Sequence, residues 1–444
     1  MTPPQPDQPL RVAIIGAGPG GLVLAQLLRD DPRFNVTVYE RGSPEVKGAS
    51  LTGYRILITP DILDSLRCQL PADVRVLLDK AVGLSQPNGN RMCFMDEMCQ
   101  VKCRLDVPAS RNMLSISRWK LRKALLSCSS NFVKFGRVFS SYEIDGANGV
   151  KVSFADGESV HCDLLIGADG AGSRVRKQLL PGSGRSNTDV TVIYFKAPFT
   201  PETEAMIPWA SGVLAMAPRR SMVVAYYKDA EKPYGPYDLE KIDPEDSFLM
   251  LGMGSYTNEF VNQSKHPDEM TPEELKDECL NRARGWHPLL RALLAISVPS
   301  SVFLSHIKTQ DPIEPWEPGP VTILGDAAHS MTPYLGQGAT NAIVDAMTLA
   351  EKLKSTEDGK GDENKQQTVT ARVGEYESSM LKRGNAVVKN SLYALHVVYT
   401  LGSTSWRSWF RNLILSFWDL LMPHPTDEIE PFPVSYNQSL KKAK

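Results

Sequence analysis

Apolar positions recur with two different periods along this chain. After a polar, proline-rich leader (TPPQPDQP), an apolar run at 11–15 meets a glycine-rich turn, followed by a helical stretch at 20–29 and an alternating run, NVTVY, at 35–39. Strand, loop, helix and strand in that order predict one βαβ unit, the start of a mononucleotide-binding half-fold. Residues 54–70 (YRILITPDILDSLRCQL) predict a strand and then a helix entered at Pro60 and Asp61, and 81–107 alternates as half-buried strands do. A helix is expected over 117–128, with strands over 133–143, 150–154 and 158–166 separated by the turns DGANG and DGES.

From 187 to 228 the period is again two, a further strand is expected at 247–253, and 272–295 is helical in pattern. These residues predict a second, largely antiparallel layer over 187–300. The run PVTIL at 320–324 and a helix from about Gly338 to Leu353 return the chain to the first layer. Residues 355–369 are polar and poor in apolar side chains, so a mobile surface loop is expected there, before helices at 370–400 and 405–422.

Composition narrows the class. With 444 residues, 42% hydrophobic and 23% charged, the chain is of ordinary globular make-up and long enough for two or three structural units. Lys plus Arg number 49 and Asp plus Glu 51, a net charge of -2 that gives no general attraction for nucleic acid. Seven cysteines, an odd number without a framework spacing, fit free thiols in a reducing, cytoplasmic compartment. The uncharged run 12–28 is interrupted by glycines and lacks a signal cleavage site, and Leu413–Met422 is too short to span a bilayer and contains Asp419. No transmembrane span is expected.

Three strings carry chemistry. In GAGPGG, Gly16, Gly18 and Gly21 take the three positions of a dinucleotide fingerprint, where glycine lets backbone amides and a helix N-terminus approach a pyrophosphate. Glu40, nineteen positions after Gly21, stands where a carboxylate accepts from ribose hydroxyls and repels a 2'-phosphate, although Arg41 beside it weakens that discrimination. The second string, DLLIGADGAGSRVRKQL (163–179), is a strand ending at Asp169 and Gly170 and a helix opened by Ser173, Arg174 and Arg176. In the third, ILGDAAHSMTPYLGQGATNAIVDAMTLAEKL (323–353), Asp326 ends a strand and can accept from a polyol. Gly336, Gln337 and Gly338 start a helix whose N-terminus stabilises negative charge.

Together these strings resemble the class A flavoprotein monooxygenases, the p-hydroxybenzoate hydroxylase-like group, from about residue 10 to 420. The resemblance implies an α/β fold in which a Rossmann-like FAD-binding domain of the GR2 type carries an inserted, mainly antiparallel β-sheet substrate domain and C-terminal helices. On that pattern the FAD-binding domain takes 1–80, 108–186 and 301–354, with strands of the substrate layer at 81–107 and its sheet and helices at 187–300. The loop 355–369 and the C-terminal helices 370–444 complete the chain. The FAD-binding residues the resemblance implies are Gly16, Gly18, Gly21, Glu40, Asp169, Gly170, Asp326, Pro333, Gly336 and Gly338, with Arg118 approaching the pyrophosphate; Arg41 beside Glu40 and Gln337 within the GQG turn join them as cofactor-binding candidates. Only one GxGxxG is present, so the resemblance implies that NAD(P)H binds transiently in a groove, reduces FAD and leaves. The mechanism the resemblance implies then has reduced flavin take up O2 at C4a and deliver one oxygen atom.

The expected reaction is hydroxylation of a hydrophobic aromatic or polycyclic small molecule in secondary metabolism. Epoxidation, oxidative decarboxylation and Baeyer–Villiger insertion remain open, as do a reductase or oxidase without oxygen transfer and a non-catalytic nucleotide-binding scaffold. No catalytic residue is assigned beyond the candidate Arg55, which the resemblance places beside the isoalloxazine. His329 is read as a hydrogen-bonded structural residue. Cys93, Cys99 and Cys103 lack a zinc spacing, so no metal site is expected, and Tyr226 and Tyr227 are read as core. The stripe of Trp406, Trp409, Phe410 and Trp418 is expected to bury itself against the body. Peripheral membrane contact stays open should the substrate be lipophilic.

Overall fold

In the computed structural model, residues 8–43, 54–84, 90–107, 113–127, 131–146, 149–207, 212–235, 246–262, 264–355 and 365–422 are described. Five parallel strands form the nucleotide sheet, in the order Val321–Ile323, Leu164–Gly167, Leu10–Ile15, Phe34–Glu40 and Val133–Phe135. The chain lays its first three of these strands outward from Leu10–Ile15 and then reverses to its other side at Leu164–Gly167. The carboxyl ends of that reversed pair open the crevice in which doubly wound sheets bind ligands. Both strands are nearly all apolar because both faces of the sheet are covered.

Seven strands make the second sheet, ordered Phe303–Gln310, Arg185–Pro198, Phe248–Tyr256, Arg220–Tyr227, Gly212–Ala217, Asn90–Asp96 and Val101–Val107. All neighbours are antiparallel except the parallel pair Gly212–Ala217 and Asn90–Asp96. Alternation along Arg185–Pro198 separates two cores. Ile193, Phe195 and Ala197 pack with the helices Pro272–Arg282 and Pro288–Ala295, whereas Val190, Val192 and Tyr194 face the opposite way, toward Leu395, Val398 and Tyr399. Phe303–Gln310 joins this sheet although it lies beyond the boundary expected at 300.

Several expected elements divide. The helical stretch 272–295 is two helices, interrupted where Gly285 adopts φ +84°. The expected strand 158–166 is cut at Asp163, which accepts from Arg11: Ser159–Cys162 joins a three-stranded antiparallel sheet while Leu164–Gly167 enters the nucleotide sheet. The strand 133–143 splits likewise into Val133–Phe135 and Phe139–Ile144 around Gly136 at φ +73°. An unassigned stretch forms a helix, Ala72–Ala81, burying Val74, Leu78 and Ala81.

Of the expected loop 355–369, residues 356–364 lie outside the described residues. Its last five residues are helical, since Lys365–Tyr399 is one helix of 35 residues, about 52 Å long. That helix links the two large sheets: the Tyr376 hydroxyl donates to the Ile323 carbonyl, Arg383 to Asp345, and Tyr399 reaches the second sheet. The last helix, Ser405–Leu421, overturns the expected burial of its tryptophans, because Trp406, Trp409, Phe410 and Trp418 are all exposed. Among the described residues no helix is long and apolar enough to cross a membrane.

Candidate active site

The three strings meet at the carboxyl ends of the reversed strands. Gly16 sits at φ +109°, and a Cβ there would lie 2.4 Å from the Ala168 carbonyl oxygen, so the fingerprint turn and the Asp169 loop are in direct backbone contact. A Cβ on Gly20 would meet Leu324 at 2.7 Å and the Ala342 carbonyl at 3.0 Å. Gly20 lets the helix Pro19–Leu28 lie against the helix Gly338–Lys354, a role the fingerprint spacing did not show.

Buried Arg176 ties the second string to the third. Its Nη1 donates to the Ala327 carbonyl at 2.9 Å and its Nη2 to the Ala171 carbonyl at 3.2 Å. Burial lowers its pKa from the usual arginine value. Arg118 opens the helix Arg118–Leu126 and faces Asp326, which opposes the lowering of its pKa by burial. Asp326 in turn is exposed and lies close to the start of the helix Gly338–Lys354, a Cβ on Gly338 falling 3.6 Å from its Oδ1.

The carboxylates divide the work. Glu40 accepts the Ala17 amide on Oε2 and the Gly42 amide on Oε1, each at 2.7 Å, which orients it beneath the fingerprint and leaves each oxygen a further lone pair for a hydroxyl. Arg41 is exposed beyond it. Asp169 instead accepts from Ser173 Oγ at 2.5 Å and the Arg174 amide at 2.7 Å, so it shapes its own loop and caps a helix. Gly170 follows at φ +79°.

Behind Asp326 lies a buried ionic network that sequence reasoning found only in part. His329 Nε2 stands 2.6 Å from Asp345 Oδ2, which also accepts the Gly325 amide at 2.8 Å, and Arg383 Nη2 reaches Asp345 Oδ1 at 2.5 Å. Burial lowers the His329 pKa but Asp345 more than offsets it, so the net shift is upward. Burial raises that of Asp345 but His329, Arg383 and the Gly325 amide together hold it down. The signal available was a lone carboxylate, Asp345, on the apolar face of the third string's helix.

These residues fit FAD. A side chain at Gly18 would meet nothing within 4 Å, Pro333 and Gly336 are exposed, and Gly336 adopts φ +64° in the turn before Gln337 and Gly338. Neither the helix at Pro19 nor the one at Gly338 has a side-chain cap or an acidic residue in its first turn. Two helix N-termini are thus open to anionic groups, one beside the fingerprint for a pyrophosphate and one beside the third string for a reduced flavin.

A model of an FAD binding domain matches residues 104–391, well over half of the chain, and an NAD(P)-binding Rossmann-like model matches 14–52. The chain belongs to the class A FAD-dependent monooxygenases. An FAD-dependent monooxygenase of Trichoderma harzianum is 28% identical over 84% of this chain and 90% of its own length. A 6-hydroxynicotinate 3-monooxygenase of Pseudomonas fluorescens is 28% identical over 78% and 83%. The chain spans 40% of the length of another relative, a dual O-methyltransferase/FAD-dependent monooxygenase of Phaeosphaeria nodorum, 28% identical over 78% of this chain. A crystal structure of a FAD-containing monooxygenase from Photorhabdus luminescens shares 30% identity at a TM-score of 0.72, over 88% of this chain and 98% of that one.

The monooxygenase's second sheet turns an apolar, aromatic face to the third string. Tyr334, between Pro333 and Gly336, hydrogen-bonds Tyr399 hydroxyl to hydroxyl at 2.7 Å, and Tyr399 meets Ser221 Oγ at 2.7 Å. Room for these rings comes from Gly252 and Gly254, where a Cβ would lie 3.0 Å from the Tyr194 ring and 2.1 Å from the Tyr399 hydroxyl. Arg55 begins the strand Arg55–Ile58 at the junction with this sheet, donating to the Tyr226 carbonyl at 2.9 Å, and burial lowers its pKa to about 10. It remains cationic at neutral pH.

The other candidates are structural in their contacts. Tyr226 stacks on Phe199 in the helix-covered core, and the Tyr227 hydroxyl donates to Asp229 at 2.9 Å. Cys93, Cys99 and Cys103 are buried and form no disulfide, the first two pushed up to about 12 by burial. Among the described residues no cluster of three metal-binding side chains occurs.

Proposed function

We propose that this enzyme hydroxylates a hydrophobic aromatic small molecule, held between the third string and the apolar face of the seven-stranded sheet. The observation that carries this reading is the contact of Tyr334, a residue of the flavin-binding loop, with a surface built from Phe94, Val192, Tyr194, Leu214 and Val223. Such a surface favours a ring over a polar metabolite and keeps water from the reacting atoms. Bound FAD, reduced by NAD(P)H, supplies activation of O2. The chain's residues do the rest: Gly16, Gly18 and Gly21 with Glu40 and Arg118 hold the dinucleotide, and Asp326, Gly336, Gln337 and Gly338 hold the ribityl and ring portions. Asp169, Gly170 and Pro333 shape the loops around them.

Arg55 places a desolvated cation where the strand Arg55–Ile58 meets the seven-stranded sheet, suited to a substrate oxygen anion or to reduced flavin. The Tyr334–Tyr399–Ser221 hydroxyls offer donors and acceptors to a ring substituent. The aromatic substrate of the 6-hydroxynicotinate enzyme and the fungal monooxygenase relatives support this class, in secondary metabolism. The six described cysteines, none in a disulfide, support a reducing, cytoplasmic setting.

The test is NAD(P)H oxidation by FAD-loaded enzyme across phenolic and prenylated aromatic compounds under 18O2. Stimulated turnover with one labelled oxygen in the product is expected. Turnover that yields only hydrogen peroxide with every aromatic compound, or product lacking the label, would overturn the assignment.

A further inference from the structure

The helix Ser405–Leu421 is attached to the body by its polar side. Ser408, 5% exposed, donates to the Gly402 carbonyl, and Arg411, 2% exposed, donates to the Val398 carbonyl at 2.8 Å. Asp419 accepts the Arg104 amide at 2.7 Å and the Arg104 guanidinium at 2.8 Å. The apolar side points away: Trp406 and Trp409 are each 66% exposed and Leu420 is 82% exposed, with Phe410, Leu413, Phe417 and Trp418 also out. This inverts the arrangement of an ordinary surface helix, whose apolar stripe faces the core.

We propose that this face lies in the interfacial layer of a phospholipid membrane, the helix parallel to the surface. Three features select lipid over a protein partner. At about 100° per residue the outward apolar positions sweep about half the helix circumference, wider than the stripe one facing helix covers, and matching a cylinder sunk halfway into an apolar layer. Trp409 and Trp418 fall on opposite flanks of that arc, where indole N–H groups meet the polar boundary of a bilayer. Charge agrees as well. The helix's only carboxylate, Asp419, is turned inward against Arg104, while its one exposed charge is the Arg407 cation, whose guanidinium lies 5.5 Å from the Trp406 ring, facing anionic headgroups. With 17 residues that include Arg407, Arg411 and Asp419, the helix as described is not long and apolar enough to cross. Attachment here is independent of the chemistry assigned to the flavin end.

The test uses the full chain loaded with FAD, and vesicles of phosphatidylcholine with or without phosphatidylserine. Wild type is expected to co-sediment with vesicles, more with phosphatidylserine, and its tryptophan emission to be quenched by brominated lipid. The double variant F417S/L420S, altered only at exposed positions, is expected to lose at least about tenfold in partitioning while keeping its melting temperature. R407E is expected to lose only the phosphatidylserine preference. Wild type remaining in the supernatant with both vesicles, or escaping the brominated lipid, overturns the proposal. So does a dimer in sedimentation velocity that F417S/L420S dissolves while vesicles stay unbound, which would assign the face to a second copy of this chain. Undiminished vesicle binding by F417S/L420S overturns it too.

Discussion

The cofactor end and the proposed substrate face of this enzyme are built on opposite plans. At the cofactor end the backbone itself is the recognition surface: Gly16 sits against the Ala168 carbonyl, and Arg176 joins two loops through their carbonyls. Asp345 fixes the Gly325 amide from below. On the proposed substrate face the backbone is a mainly antiparallel sheet, and side chains set the shape, with Tyr194, Tyr334 and Tyr399 filling the space that Gly252 and Gly254 leave. A backbone-made site tolerates almost no change, whereas a side-chain-made surface can be recut without disturbing the frame.

Substitutions turn that contrast into measurements. The largest effect is expected for Asp345→Asn, which leaves His329 and Arg383 without their buried counter-charge and costs about 3–5 kcal/mol of unfolding free energy. Its pH signature has two limbs. Asp345 is held below its ordinary 3.8, so its contribution is present above that pH and is lost as acid takes the protein through the lower native value. His329 is held above 6.5, so its contribution is complete below pH 6.5 and is lost as pH rises through the higher native value. Wild-type melting temperature should therefore fall as pH rises above 6.5, and Asp345→Asn should flatten that fall in a thermal melt series.

Next comes Gly16→Ala. A side chain at φ +109° against the Ala168 carbonyl should weaken FAD binding about a hundredfold, about 2.7 kcal/mol, in a flavin fluorescence titration. Gly254→Ala sharpens the comparison from the other side. It crowds the doubly hydrogen-bonded Tyr399 hydroxyl at a cost of about 1–3 kcal/mol, seen as a higher KM for substrate and more uncoupled peroxide, with FAD affinity unchanged. Equal losses of FAD affinity in both glycine variants would erase the distinction between the two ends. The smallest effect belongs to Tyr334→Phe, which removes one hydroxyl from the chain, about 0.5–1.5 kcal/mol, read as a severalfold change in coupling.

The same contrast explains what was readable in the sequence. Gly16, Gly18, Gly21 and Glu40 announce themselves because the turn they make is local, and its glycines are demanded by a backbone approach within a few residues. The Tyr334–Tyr399–Ser221 chain does not, because its members come from a loop, the end of a long helix and a mid-sheet strand that only the register of the sheet unites. Asp345 was in plain view inside the third string, but its partner Arg383 lies 38 positions later on another helix. The misplaced tryptophan helix is instructive in a different way. Periodicity shows that a helix has an apolar side, but Ser408, Arg411 and Asp419 decide which side faces the body, through carbonyls and an arginine far away in the chain.

The helix Lys365–Tyr399 carries both plans on one rod. Arg383 clasps the flavin end and Tyr399 the sheet, sixteen residues apart on an uninterrupted spiral. Their mutual phase is set by residue count alone, so the spacing between the Asp345 network and the sheet is gauged in helical turns. Adding a single alanine between them would swing Tyr399 by about 100° around the axis, out of reach of Tyr334, while net charge stayed as it was. The helix is the caliper of the molecule.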